Sequence, residues 1–230
     1  RDVRKIVSHL PRQRQSLLFS ATMPTDVAHL VTEILKDPAR IDISPKQVAV
    51  ERIDQRVYFV PQQDKRALLI ELLADAAMKR VIVFTRTKHG ANKVAEQLGK
   101  AGHAAEAIHG NKSQNARQKA LDAFRKGHAR VLVATDIAAR GIDIDEITQV
   151  INFELPDVAE SYVHRIGRTA RAGAGGTAIA FCDSSERDSL KAIEKLTKQK
   201  LTVLGDRRAR PAEARSEEHT SELQSRLHLV

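Results

Sequence analysis

The sequence predicts an α/β domain, a doubly wound parallel sheet with helices on both faces, over residues 53–205. Three observations predict it. Short β-branched runs alternate with stretches whose apolar residues recur at three- and four-residue spacing, the pattern of βαβ units. The runs are continuously apolar, as in Val81-Ile82-Val83-Phe84 and Val131-Leu132-Val133-Ala134, so both faces of those strands are covered. Finally, 230 residues with 42% hydrophobic and 29% charged side chains suffice for one ordinary core and a piece of another.

Taken in order, Leu17-Leu18-Phe19-Ser20 reads as a strand, Thr25 to Lys36 as a helix opened by Pro24-Thr25-Asp26, and Arg40 to Ile43 as a second strand. One or two such units cannot close a core, so residues 1–43 are expected to be the end of a preceding domain. Ser44-Pro45-Lys46-Gln47 breaks the pattern, and residues 44–52 read as a linker. The domain proper then shows strands at 56–60, 80–84, 131–134, 149–153 and 177–181, with helices at Lys65–Ala77, Lys88–Lys100 and Ser113–Phe124. Pro156-Asp157 followed by Glu160 marks another helix start, with Asp157 as cap and Glu160 reaching back. Helical periodicity ends near Lys200. Residues 206–230 are expected to be a disordered tail, and the stretch from Arg215 to Ser225 resembles the translation of a sequencing adapter, so 215–230 are expected to be an artefact.

The formal net charge is +9, which favours a polyanionic partner. Residues 206–230 hold five Arg and five Asp or Glu, so the excess lies in residues 1–205. Aromatic residues are only 3% with no Trp, which argues against a base-stacking platform and for phosphate contacts. The one cysteine, Cys182, excludes an internal disulfide framework and a thiolate zinc cluster and fits a reducing cytosol. No apolar run approaches the ~18 residues of a membrane span.

The densest chemical signal is Tyr162-Val163-His164-Arg165-Ile166-Gly167-Arg168-Thr169-Ala170-Arg171. On a helix, His164 and Arg168 lie one turn apart on a shared face, and Arg171 follows three residues later. Clustered cations repel unless an anion sits among them, and the arginine fork suits a planar multi-oxygen anion. This segment resembles motif VI of the DEAD-box RNA helicases, H-R-x-G-R-x-x-R. Ser20-Ala21-Thr22 resembles their motif III, Val83-Phe84-Thr85-Arg86-Thr87-Lys88 motif IV, and His109-Gly110 with Gln114 and Arg117 their H-G…Q-x-x-R element. Thr135-Asp136-Ile137-Ala138-Ala139-Arg140-Gly141-Ile142-Asp143 resembles motif V. Order and spacing agree from residue 17 to about 200, and Phe84–Asn92 with His109–Gln114 most resemble bacterial RhlE-type members. Ala170 stands where many members have Gly, a small residue for a small residue.

The resemblance implies a RecA-like second helicase domain behind a truncated piece of the first, with ATP bound in the cleft between two such domains. It implies Gly141, Asp143, Arg168 and Arg171 as ATP-binding residues, with Asp143 on the ribose hydroxyls. Arg168 and Arg171 would reach the γ-phosphate as catalytic arginines, and His164 would join them and couple the RNA and ATP sites. Ser20, Thr22 and His164 would serve interdomain coupling. Thr85, Arg86, Gly110, Gln114, Arg117 and Thr135 would contact RNA phosphates and riboses. The expected activity is ATP-driven unwinding of short RNA duplexes by a cytoplasmic monomer, with ribosome-assembly or RNA-decay machinery as partners and no membrane. The chain holds no G-x-x-x-x-G-K-[ST] loop and no D-E-A-D run, so both, and the Mg2+ ligands, are expected before Arg1; no metal site is expected within the chain, and alone it is expected to be inactive. Two other readings stay open: a non-catalytic RNA-binding module, and a superfamily 2 helicase acting on DNA. His164 in place of Gln, with the Gln114–Arg117 pair, favours RNA.

Overall fold

A computed structural model describes residues 2–20, 23, 25–42, 53–139, 147–170 and 175–207. The chain divides into two compact units, residues 1–46 and 47–230. In the first, α1 (Asp2–Ser8) and α2 (Thr25–Ile34) are joined by an ion pair in which Arg4 Nε and Nη2 donate to the Glu33 carboxylate at 2.6 and 2.8 Å. Leu17–Ser20, expected as a strand, is irregular, as are residues 40–42 of the second expected strand. A strand exists through ladder bonds to a neighbour, and among the described residues of this unit there is no paired extended segment. Leu17 and Phe19 are accordingly exposed. The expected linker lies outside the described residues.

The second unit is a seven-stranded, all-parallel sheet in the order β3-β4-β2-β5-β6-β1-β7. Its strands are β1 (Ile53–Phe59), β2 (Val81–Phe84), β3 (Ala105–Ile108), β4 (Val131–Ala134), β5 (Gln149–Asn152), β6 (Gly176–Cys182) and β7 (Thr202–Asp206). Between them run α3 (Lys65–Leu73), α4 (Lys88–Lys100), α5 (Gln114–Arg125), α6 (Asp136–Ala139), α7 (Ala159–Ile166) and α8 (Arg187–Thr197). All four residues of β2 and all four of β4 are buried, as covering on both faces requires. Alternate residues feed opposite layers. Val81, Val83, Val131, Val133 and Ile151 pack with Leu68, Leu69, Leu73, Val94 and Leu98 of α3 and α4. Ile82, Phe84, Leu132, Ala134 and Val150 pack with Ala120 and Phe124 of α5, and Ala178 and Ala180 pack with Tyr162 and Ile166 of α7 and Ile193 of α8. Each buried Val, Leu, Ile or Phe among them contributes about 1.5–3 kcal/mol relative to exposure.

Three elements differ from the sequence reading. The helix expected over Lys65–Ala77 ends at Leu73, where Arg130 donates to the carbonyls of Leu73, Asp75 and Met78 at 2.5–2.7 Å. β3 has no β-branched run; Ala-Glu-Ala-Ile becomes a strand because β4 offers it a full ladder. β7 carries ordered chain past residue 205: Asp206 ends the strand, and Arg207 Nη2 pairs with the Glu71 carboxylate at 2.7 Å. The rest of the expected tail, 208–230, lies outside the described residues. Among those described, no helix is long and apolar enough to cross a membrane.

Candidate functional site

Parallel register sets the site. Phe84 stands beside Ala134 and Asn152, and Ala134 beside Ile108, so β2, β3, β4 and β5 end together at one edge. The connection from β2 leads to one side of the sheet and the connection from β4 to the other, the reversal at which open α/β sheets bind ligands. The residues that follow the strands are therefore neighbours: Thr85 after β2, His109-Gly110 after β3, Thr135 after β4. Thr85 is buried, with its N–H on the Ala134 carbonyl at 3.0 Å and its hydroxyl donating to the Thr87 carbonyl at 3.2 Å. Thr135 is 8% exposed, and its carbonyl accepts from Ala139 N at 3.0 Å to begin α6. Gly110 is exposed, and a Cβ there would meet nothing within 4 Å, so the loop is open to an approaching backbone.

α5 begins directly after this loop. Ser113 caps it, its hydroxyl accepting from Ala116 N at 3.3 Å. Gln114 Oε1 accepts from Arg117 Nη1 at 3.3 Å, which holds the two motif side chains together, and Arg117 Nε has no hydrogen-bond partner. His109 opens the H-G…Q-x-x-R element. It is 3% exposed; Nε2 lies 2.9 Å from Asn92 Oδ1, and Nδ1 accepts from Asn111 N at 3.3 Å. Lys88 Nζ donates to Asn111 Oδ1 at 2.7 Å. Burial first, then Lys112, Lys88 and His89, push the His109 imidazole below its ordinary value. The loop carrying Gly110 is thus held by α4.

The motif VI segment departs from a simple cationic helix face. α7 ends at Ile166 with Gly167 as C-cap, so Arg168 lies beyond the helix and returns to it by donating Nε to the His164 carbonyl at 3.2 Å. His164 is exposed and Arg168 half-buried. Arg165 points the other way. Its guanidinium is 1% exposed, forks onto Asp136 at 2.6 and 2.8 Å, donates to Asn152 Oδ1 at 3.1 Å and the Glu154 carbonyl at 2.7 Å, and lies 5.1 Å from the Phe84 ring centre. It therefore bolts α7 to the residue after Thr135. Asp157 does not cap α7; Val158 occupies that position without a side-chain cap. Asp157 instead pairs with Arg86 Nη1 at 3.3 Å, because Arg86 is already drawn to this loop by its backbone N–H on Glu154 Oε2 at 2.8 Å.

Thr85, Gly110, Gln114, Arg117 and Thr135 thus gather at one edge, whereas the Arg86 side chain turns to carboxylates. Gly141, Asp143, Arg171 and Thr22 lie outside the described residues. Of the expected ATP-binding residues Arg168 is the one described; of the expected coupling residues His164 is exposed on α7 and Ser20 sits exposed in irregular chain of the first unit. Among the described residues no three His, Cys, Asp or Glu side chains gather as a metal site.

The helicase conserved C-terminal domain matches residues 64–173. The DEAD-box ATP-dependent RNA helicase CshA of Geobacillus kaustophilus is 44% identical over 200 residues, covering 87% of this chain and 43% of that protein. The ATP-dependent RNA helicase RhlB of Pseudomonas syringae is 43% identical over 203 residues, covering 87% and 51%. The chain thus spans about half the length, or less, of these relatives. Among solved structures, the E. coli DEAD-box protein SrmB, bound to regulator of ribonuclease activity A, is 37% identical with a TM-score of 0.64, over 66% of this chain and 89% of that one. S. cerevisiae Dbp5 bound to RNA and ADP BeF3 is 31% identical with a TM-score of 0.76, over 87% and 54%.

Proposed function

This chain belongs to the DEAD-box family of helicases, and from that premise we propose that it supplies the RNA-gripping and nucleotide-completing portion of an ATP-dependent RNA helicase. The observation that carries the reading is the convergence of Thr85, Gly110 and Thr135 on adjacent strand ends, beside the N-terminus of α5 and the unpartnered Nε of Arg117. A helix N-terminus and an open glycine loop offer N–H groups to a phosphate, and Arg117 adds charge. Groups of this kind grip backbone and 2′-hydroxyl without reading bases. ATP hydrolysis would supply the free energy for strand separation. Arg168, with Arg171, would face the charge that develops on the transferred phosphoryl group, and Arg165 would keep α7, the helix that precedes Arg168, in register with Thr135. The phosphate loop and magnesium ligands would come from residues that these 230 do not include.

The test is fluorescence anisotropy of homopolymer RNAs binding the 230-residue chain across a salt series. About three phosphate contacts predict a log–log slope of about −2, at about 0.7 per neutralised phosphate, with micromolar or weaker affinity. Arg117→Ala should flatten the slope by about 0.7 and weaken all sequences alike. Salt-insensitive or sharply sequence-selective binding would overturn the reading.

A further inference from the structure

Glu186 belongs to none of the motifs, yet it is 1% exposed and fully engaged. Oε2 accepts the Asp183 N–H at 3.1 Å and the ammonium of Lys65, itself wholly buried; Oε1 accepts the Leu155 N–H at 3.0 Å and lies 3.8 Å from Arg86 Nη2. Lys65 also pairs with Asp183 at 3.2 Å. The Asp183 bond is local, a capping box for the turn before α8. That box uses one oxygen and needs no burial. The other contacts reach across the fold to the start of α3, the end of β2 and the loop after β5.

A buried ion pair adds little net stability over a packed apolar pair of the same volume, so stability alone leaves Lys65 and Glu186 unexplained. Position is the better account. The loop 154–158 launches α7, and Val158 starts that helix without a side-chain cap. Besides Arg165 of α7 on the Glu154 carbonyl, the polar contacts on this loop come from elsewhere in the fold: Glu186 on Leu155 N, and Arg86 held by Glu186, Asp157 and Glu154. We propose that Glu186, neutralised by Lys65, is a positioning residue that holds the start of α7, and with it His164 and Arg168, in register with the end of β2. The functional consequence rests on the reading above; the structural one does not.

The primary test is amide hydrogen exchange on the 230-residue chain, comparing residues 154–166 with the central strand 131–134. Glu186→Gln keeps the shape but loses the charge and one acceptor oxygen. It should accelerate exchange across 154–166 by about tenfold more than in the strand, because local opening is then easier than global unfolding. The apolar pair Lys65→Met with Glu186→Leu should regain the wild-type melting temperature while residues 154–166 stay fast. An equal rise everywhere, or wild-type protection of α7 in the apolar pair, would show that the cluster merely stabilises the fold and would overturn the proposal. In a protein restored to the relatives' length, the apolar pair should lower kcat for RNA-stimulated ATP hydrolysis about tenfold with KM for ATP nearly unchanged; full recovery of kcat would also overturn it. Absence of RNA-stimulated hydrolysis in the unsubstituted restored protein would count against the helicase reading, while the exchange experiment would still decide the role of Glu186.

Discussion

His109 and Arg165 show what single residues do here. The hydrogen-bond pattern around His109 needs Nδ1 bare toward Asn111 N and the proton on Nε2 toward Asn92. A second proton would face an N–H, and burial with Lys112, Lys88 and His89 already disfavours it. The folded pKa is therefore below the unfolded value of about 6.5. The stability contributed by neutral His109 is full above about pH 6.5 and lost as pH falls through the lowered folded value. Urea unfolding from about pH 8 to about pH 5 should show falling stability, with a shallower fall in His109→Gln. An unchanged pH dependence in that variant would mean that another group carries it. Arg165 teaches the complementary lesson. Its sequence neighbours place it among anion-facing cations, but its partners Asp136, Asn152 and Phe84 come from three other segments, so its inward turn is invisible to local spacing.

At the scale of elements, the turn after α7 is the instructive case. Ala170 has φ +55°, a left-handed conformation that costs an L-residue about 1–2 kcal/mol. The exchange of glycine for alanine, small for small in sequence, is thus not neutral in backbone terms. The turn is pressed against β6: a Cβ on Gly176 would lie 2.4 Å from Thr169 Oγ1 and 2.7 Å from Ala170 N. The Thr169 hydroxyl is meanwhile tied to the Ile147 carbonyl at 2.6 Å, so the turn cannot relax. Ala170→Gly should therefore raise stability by about 0.5–1 kcal/mol, the strain relieved exceeding the extra unfolded-state entropy. Thermal and denaturant midpoints would check it, and a destabilised variant would show that the turn is not strained. Strands were legible where β-branched residues run together, as in β2 and β4, and illegible in β3 and β7, where pairing rather than propensity makes the strand.

For the whole chain, the expectation is that purified residues 1–230 release no phosphate from ATP above background, with or without RNA. The reason is chemical: an arginine that stabilises transition-state charge accelerates nothing without the loop and metal that hold the phosphates. A phosphate-release assay decides it, and RNA-stimulated turnover in clean protein would refute it. Fold class, the parallel sheet and the order of most elements were readable from residue order, because hydrophobic period and burial on two faces are written locally. The candidates Thr85, Gly110, Gln114, Arg117 and Thr135 also stand in recognisable short patterns, and strand register then sets the ends of β2, β3 and β4 side by side. What local pattern could not contain is which way the charged side chains turn. Arg165 is buried, Arg86 is claimed by carboxylates, and Glu186 joins segments up to 121 residues apart. Those outcomes depend on partners brought together by strand register, and a charge commits to the partner that best offsets its desolvation.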